Sequence, residues 1–144
     1  MYQIYHNIKI DARMDKVFKY CTDPTHINNW WTKRCTGVPD IDEEYMFWFA
    51  PEYDWRAKVT DLIENKRIAF TFYQADRDWT GTVLCIEVEE LEEDQTLLHL
   101  RHKNWKEDNE HYGRTNYCWA MYLMTLQRYV EIGTVIDYEK RGGI

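Results

Sequence analysis

A chain of 144 residues, 44% of them hydrophobic and 16% aromatic, fits one domain (1–144). It can bury about two-thirds of its unfolded surface without a disulfide or metal staple. Seven Trp, eleven Tyr and five Phe exclude disorder despite 30% charged residues and a mean hydropathy of −0.70. A net charge of −7 argues against nucleic acid, whose phosphates attract Lys and Arg.

In chain order, Ile4, His6, Ile8 and Ile10 alternate with polar neighbours, which predicts a strand. Asp11 is the expected N-cap of a short amphipathic helix carrying Met14, Val17, Phe18 and Cys21. Asp23-Pro24 ends that helix and starts a second, running to about Asn29, since Pro suits a first helical turn. From residue 30 to 103 the period is two. Tyr45/Phe47/Phe49, Trp55/Ala57/Val59, Ile68/Phe70/Phe72, Thr82/Leu84/Ile86/Val88 and Leu98/Leu100/His102 each share one face of a strand. Short polar links between them imply an antiparallel meander. Trp119, Tyr122, Leu123, Leu126, Tyr129 and Val130 then lie at helical spacing, predicting a helix over 115–132 with Gly133 as its C′ residue. Its apolar stripe needs the inner face of the sheet.

No run reaches the ~18 apolar residues of a membrane span, and the N-terminus lacks the pattern of a signal peptide. Cys21, Cys35, Cys85 and Cys118 are dispersed, so reduced thiols in a cytoplasmic protein are expected. Serine is absent, which removes Ser-His-Asp hydrolysis, and there is no Gly-rich phosphate loop. No catalytic motif emerges, and neither a cofactor nor a third metal ligand beside His6 and His102 can be placed. The acidic residues from Glu87 to Asp94 form either a solvated edge or a docking surface for a basic partner. Trp48 should point outward, opposite Phe47.

The order of elements, with Ile8-x-Ile10-x-Ala12, Asp15-Lys16-Val17-Phe18, Trp30-Trp31-Thr32, Gly81-Thr82, Thr96-x-Leu98-x-Leu100-x-His102 and Cys118-Trp119-x-x-Tyr122-Leu123, resembles the START-like helix-grip superfamily. The branch it is most similar to is that of the activator of Hsp90 ATPase C-terminal domain. The resemblance covers residues 4–133. It implies an α+β fold with an antiparallel sheet of about six to seven strands curved around the long C-terminal helix. Two short helices follow the first strand, and a cavity often lies between sheet and long helix. Cys118 and Asn104-Trp105 depart from the family pattern and put bulk near the cavity mouth.

The inward residues are then either a packed core or the wall of a ligand cavity. The cavity candidates are Trp31, Tyr45, Phe47, Phe49, Phe70, Phe72, Leu84, Ile86, His102, Trp119 and Leu123. The polar end is expected at His102 with Tyr45 or Trp31, so that His102→Leu would weaken a polar-headed ligand and leave the fold intact. Within the superfamily, three roles are implied. The chain binds a small hydrophobic or amphipathic molecule, or it is a protein-interaction module of co-chaperone type that meets a protein partner or a second copy, or it is a polyketide cyclase-like enzyme.

Overall fold

The computed structural model describes residues 1–141. Strand β1 (Tyr2–Ile10) leads into helices α1 (Met14–Thr22) and α2 (Pro24–Ile27). Six strands follow: β2 (Arg34–Thr36), β3 (Glu44–Ala50), β4 (Tyr53–Ile63), β5 (Arg67–Gln74), β6 (Val83–Glu92) and β7 (Gln95–Trp105). Helix α3 (Glu110–Ile132) and a short 3-10 turn at Tyr138–Lys140 come last among the described residues. The strands form one seven-stranded antiparallel sheet in the order β1-β7-β6-β5-β4-β3-β2. From β2 onward consecutive strands pair, and β1 closes against the last strand, with Ile4 opposite His102. Bulges at Arg56/Ala57 and Val59/Asp61 in β4 bend the sheet. This is the helix-grip arrangement.

The alternation read in the sequence becomes burial. Ile4 and Ile10 of β1, Tyr45 and Phe47 of β3, Phe70 and Phe72 of β5, and Leu98 and Leu100 of β7 all enter one core. Helix α1 contributes Val17, Phe18 and Cys21, and α3 adds Trp119, Leu123, Leu126 and Val130. Gly37 lets the Tyr45 ring lie directly over the backbone, where a Cβ would overlap it. Outside, Trp48 is covered by the Arg34 guanidinium, 4.8 Å from the ring centre.

Two expectations are corrected. Asp11 does not cap α1: the helix starts after Arg13, which makes no side-chain cap bond. Instead the Asp11 N–H donates to Glu131 Oε2 (2.8 Å) and its carboxylate accepts from Gln95, tying β1 to α3 and β7. Helix α3 begins at Glu110 rather than 115, because Asn109 caps it, accepting the Tyr112 N–H at 3.0 Å. Its first two turns are mostly polar, so hydrophobic spacing alone could not reveal them. Gly133 ends the helix in the left-handed conformation (φ 73°), as expected.

Helix α3 also lies along the outer margin of β1. Tyr112 Oη donates to Gln3 O (2.8 Å), Gln127 Nε2 donates to Lys9 O (2.7 Å), and Asn116 Oδ1 lies 2.7 Å from His6 Nε2.

Leu126 is fully buried at mid-helix. Leu126→Ala is expected to cost about 2–5 kcal/mol, measured by urea denaturation. A loss below about 1 kcal/mol would show that this face of α3 carries little of the fold's stability.

Candidate functional site

A cleft of about 550 Å³ opens between α3 and the β3–β4 end of the sheet. Its walls are Trp31, Phe49, Tyr53, Trp55 and Trp79 on one side and Thr115, Cys118, Trp119 and Tyr122 of α3 on the other. Tyr138 lies across one end; Asp76, His111 and Arg114 make the other polar. Such a volume, with aromatic walls and few polar groups, suits a small organic molecule.

Each wall has a local cause. Trp31 follows α2, whose N-cap Asp23 accepts the Thr25 N–H, and its ring packs on Phe47 (4.7 Å) and Trp119 (4.9 Å). Trp79 stands in the β5–β6 connection. There Asp76 Oδ1 accepts the N–H groups of Asp78 (3.0 Å) and Trp79 (2.8 Å), a side-chain-built turn that drives the indole inward. The indole is 5% exposed, and its N–H donates to Thr115 Oγ1 at 3.3 Å. Tyr138 is held by Arg141, whose buried guanidinium donates to Ile136 O, Thr32 O and Asn28 O. Burial pushes the Tyr122 hydroxyl up to about 12, so it stays protonated at neutral pH.

Of the eleven cavity candidates, Trp31, Phe49 and Trp119 line the cleft. Tyr45, Phe47, Phe70, Phe72, Leu84, Ile86, His102 and Leu123 lie beneath it, none more than 2% exposed. Their rings fill that space against one another: Tyr45 lies 4.8 Å from Phe70, and Phe47 5.3 Å from Phe70. The cleft lies where Phe49 and Trp55, half-buried, leave the core.

His102 does not pair with Tyr45 or Trp31. The Tyr45 hydroxyl donates to Thr22 O (2.7 Å), and His102 has other partners. The Trp119 indole N–H donates to its Nδ1 (3.1 Å), which leaves the proton on Nε2, donated to Thr82 Oγ1 (2.8 Å). Thr82 in turn donates to Trp79 O (2.6 Å). Burial, reinforced slightly by His111, lowers the His102 pKa to about 3. Both ring nitrogens are committed, so His102 can neither orient a ligand nor exchange a proton with one. His6 turns to Asn116 and does not meet His102. No cluster of three metal-ligating side chains occurs among the described residues.

Cys118 does border the cleft, whereas Trp105 lies under it, 1% exposed, against the His111 and Tyr112 rings. Among the described residues, its indole N–H is the one buried side-chain polar atom without a hydrogen-bond partner.

The polar end was missed in the sequence. His111 Nδ1 lies 3.1 Å from Asp78 Oδ2 and 3.5 Å from Asp76 Oδ2. Asn109 Nδ2 donates to the other Asp78 oxygen (3.2 Å). The hydrogen bond from His111, then that from Asn109, holds the Asp78 carboxyl below the usual range. These residues are 31 and 33 apart in sequence. The Asp76-x-Asp78-Trp79 turn was the available signal, since an aromatic ring beside turn-forming aspartates needs somewhere to be buried.

No helix among the described residues is long and apolar enough to cross a membrane. Residues 11–131 match the family described as activator of Hsp90 ATPase homolog 1-like protein. The solution structure of an Aha1 dimer from Colwellia psychrerythraea is 30% identical, with a TM-score of 0.84 over 93% of this chain and 99% of that one. A protein from Staphylococcus saprophyticus is 22% identical, with a TM-score of 0.78 over 94% of this chain and 96% of that one. CalU16 from Micromonospora echinospora is 20% identical, with a TM-score of 0.73 over 96% of this chain and 80% of that one. These last two share the fold. No curated protein matches the sequence.

Proposed function

This chain belongs to the activator of Hsp90 ATPase homolog 1-like family, and from that premise we propose that its cleft binds a small hydrophobic or amphipathic molecule. The observation that carries the reading is the aromatic cleft of about 550 Å³, polar at one end only. An apolar body would lie between Trp31, Phe49 and Trp55 and the Cys118–Tyr122 stretch of α3. Its polar group would face Asp76, His111 and Arg114.

Phenylnaphthylamine, whose fluorescence rises in apolar surroundings, is the probe. Cys118→Trp fills the cleft from a half-buried position and should weaken the probe at least about tenfold, or about 1.4 kcal/mol, with an unchanged thermal midpoint. Equal binding by both proteins, or by neither, would overturn the reading.

The second reading is a protein-interaction module of co-chaperone type, acting with a partner or as a homodimer. It is favoured by the 30% identity to a protein solved as an Aha1 dimer. Light scattering gives the mass, and stimulation of an Hsp90 ATPase tests the activity. Cys118→Trp should leave both unchanged, which separates the two readings.

A further inference from the structure

At the polar end of the cleft, three chemistry-bearing groups converge from two parts of the chain. Helix α3 presents His111 and, one turn on, Arg114; the β5–β6 connection presents Asp78. Side chains three apart on a helix are neighbours, about 5–6 Å between Cβ atoms. The Asp78 carboxylate is fixed by Asn109 on one oxygen and meets His111 Nδ1 with the other. A nitrogen beside two carboxylates, Asp78 and Asp76, carries the proton, so in the neutral ring the lone pair is on Nε2. Nε2 has no hydrogen-bond partner among the described residues and is not among the buried unpaired atoms. Because Nδ1 is turned to Asp78, Nε2 is the edge of this cleft-lining ring left for a ligand. Arg114 is exposed and makes no ion pair among the described residues.

We propose that His111, oriented by Asp78, is a proton-accepting site of the cleft, and that its ligand is a planar aromatic molecule bearing an acidic hydroxyl, a phenol or stable enol. The proposal rests on the cleft-binding reading above. In the bound state the ligand O–H bond breaks, its electron pair stays on the oxygen, and an N–H bond forms at Nε2. The imidazolium is then balanced by Asp78 and Asp76, and the oxyanion lies near imidazolium and Arg114. No oxidant or second reactant is needed. Asp78 is a positioning residue, because it acts through His111. The Trp105 ring, 5.8 Å away, and His102, kept neutral by burial, add no charge beside the imidazole.

The probes are para-nitrophenol, whose absorbance reports its ionisation, and para-nitroanisole, which has the same frame with the hydroxyl methylated. The wild-type protein should bind the phenol about tenfold more tightly than the anisole, the upper range for one added hydrogen bond. The bound phenol should also be more ionised than free phenol at the same pH. His111→Gln should abolish both the preference and the extra ionisation. Asp78→Asn should lose most of the extra ionisation, which a merely structural role would not affect. Anisole affinity is the internal reference in each protein. If anisole binds but phenol is neither tighter nor more ionised, this proposal fails and the cleft reading stands. If neither probe binds while phenylnaphthylamine does, this proposal fails and the cleft reading stands; if none of the three binds, both fall.

Discussion

Trp119→Ala is expected to destabilise the fold by about 5 kcal/mol, the largest effect of any single replacement considered. The indole is 1% exposed and lies against Trp31 (4.9 Å), Trp79 (6.0 Å) and Tyr122 (6.3 Å). Truncating a buried aromatic costs about 3–5 kcal/mol through lost burial and the void left behind. Here the change also strips His102 Nδ1 of its donor, at about 1–3 kcal/mol for an orphaned buried acceptor. Domains of this size have about 5–15 kcal/mol in total, so the variant should lose a large fraction of its stability. Urea denaturation measures it; a loss under about 2 kcal/mol would mean that the cleft wall is dispensable to the core.

His102→Leu should cost about 3 kcal/mol and leave affinity for cleft ligands unchanged, the reverse of what the strand alternation suggested. Leucine fills the space but orphans the Trp119 N–H and leaves the Thr82 hydroxyl without one partner. Acid gives a second signature. The His102 pKa falls from 6.5 to about 3 on folding, chiefly through burial. Below about pH 6.5 the unfolded chain therefore takes up a proton that the folded chain refuses, so stability is full above that value and declines toward about pH 3. Each pH unit inside that window is worth about 1.4 kcal/mol. Between pH 7 and 4 the wild-type protein should lose about 3 kcal/mol from this group alone. The Leu variant should show a correspondingly flatter profile in urea titrations across that range. Parallel profiles would show that His102 is protonated equally in both states.

Period-two and period-3.6 patterns carried the architecture, because a one-sided core imposes them on every element that touches it. That is why β1, β3, β5, β7 and the apolar half of α3 were legible. The same logic placed Tyr45, Phe47 and Phe70 on the inner face, yet could not tell ring-on-ring packing from cavity wall, since both need an apolar side chain there. The distinction depends on ring volumes and on where the paired strands β3 and β4 run past the core. Trp79, His111 and Tyr138 escaped for another reason. Each lies outside the apolar alternation: Trp79 is set by the local Asp76 turn and Tyr138 sits under the nearby Arg141 guanidinium, while His111 is held by Asp78, 33 residues away. The tautomer of His102 depends on a helix residue 17 positions away and has no one-dimensional signature.

The sheet has two margins, and the longer one belongs to β1. Unpaired strand margins invite pairing with another chain, the first step of edge-to-edge aggregation. Here Tyr112 and Gln127 occupy the carbonyls of Gln3 and Lys9 that a foreign strand would need. Helix α3 thus acts as a guard rail as well as a core element, and a second copy that extended the sheet across β1 would have to displace those two contacts. Detachment of the helix would uncover the β1 margin and the apolar inner face together.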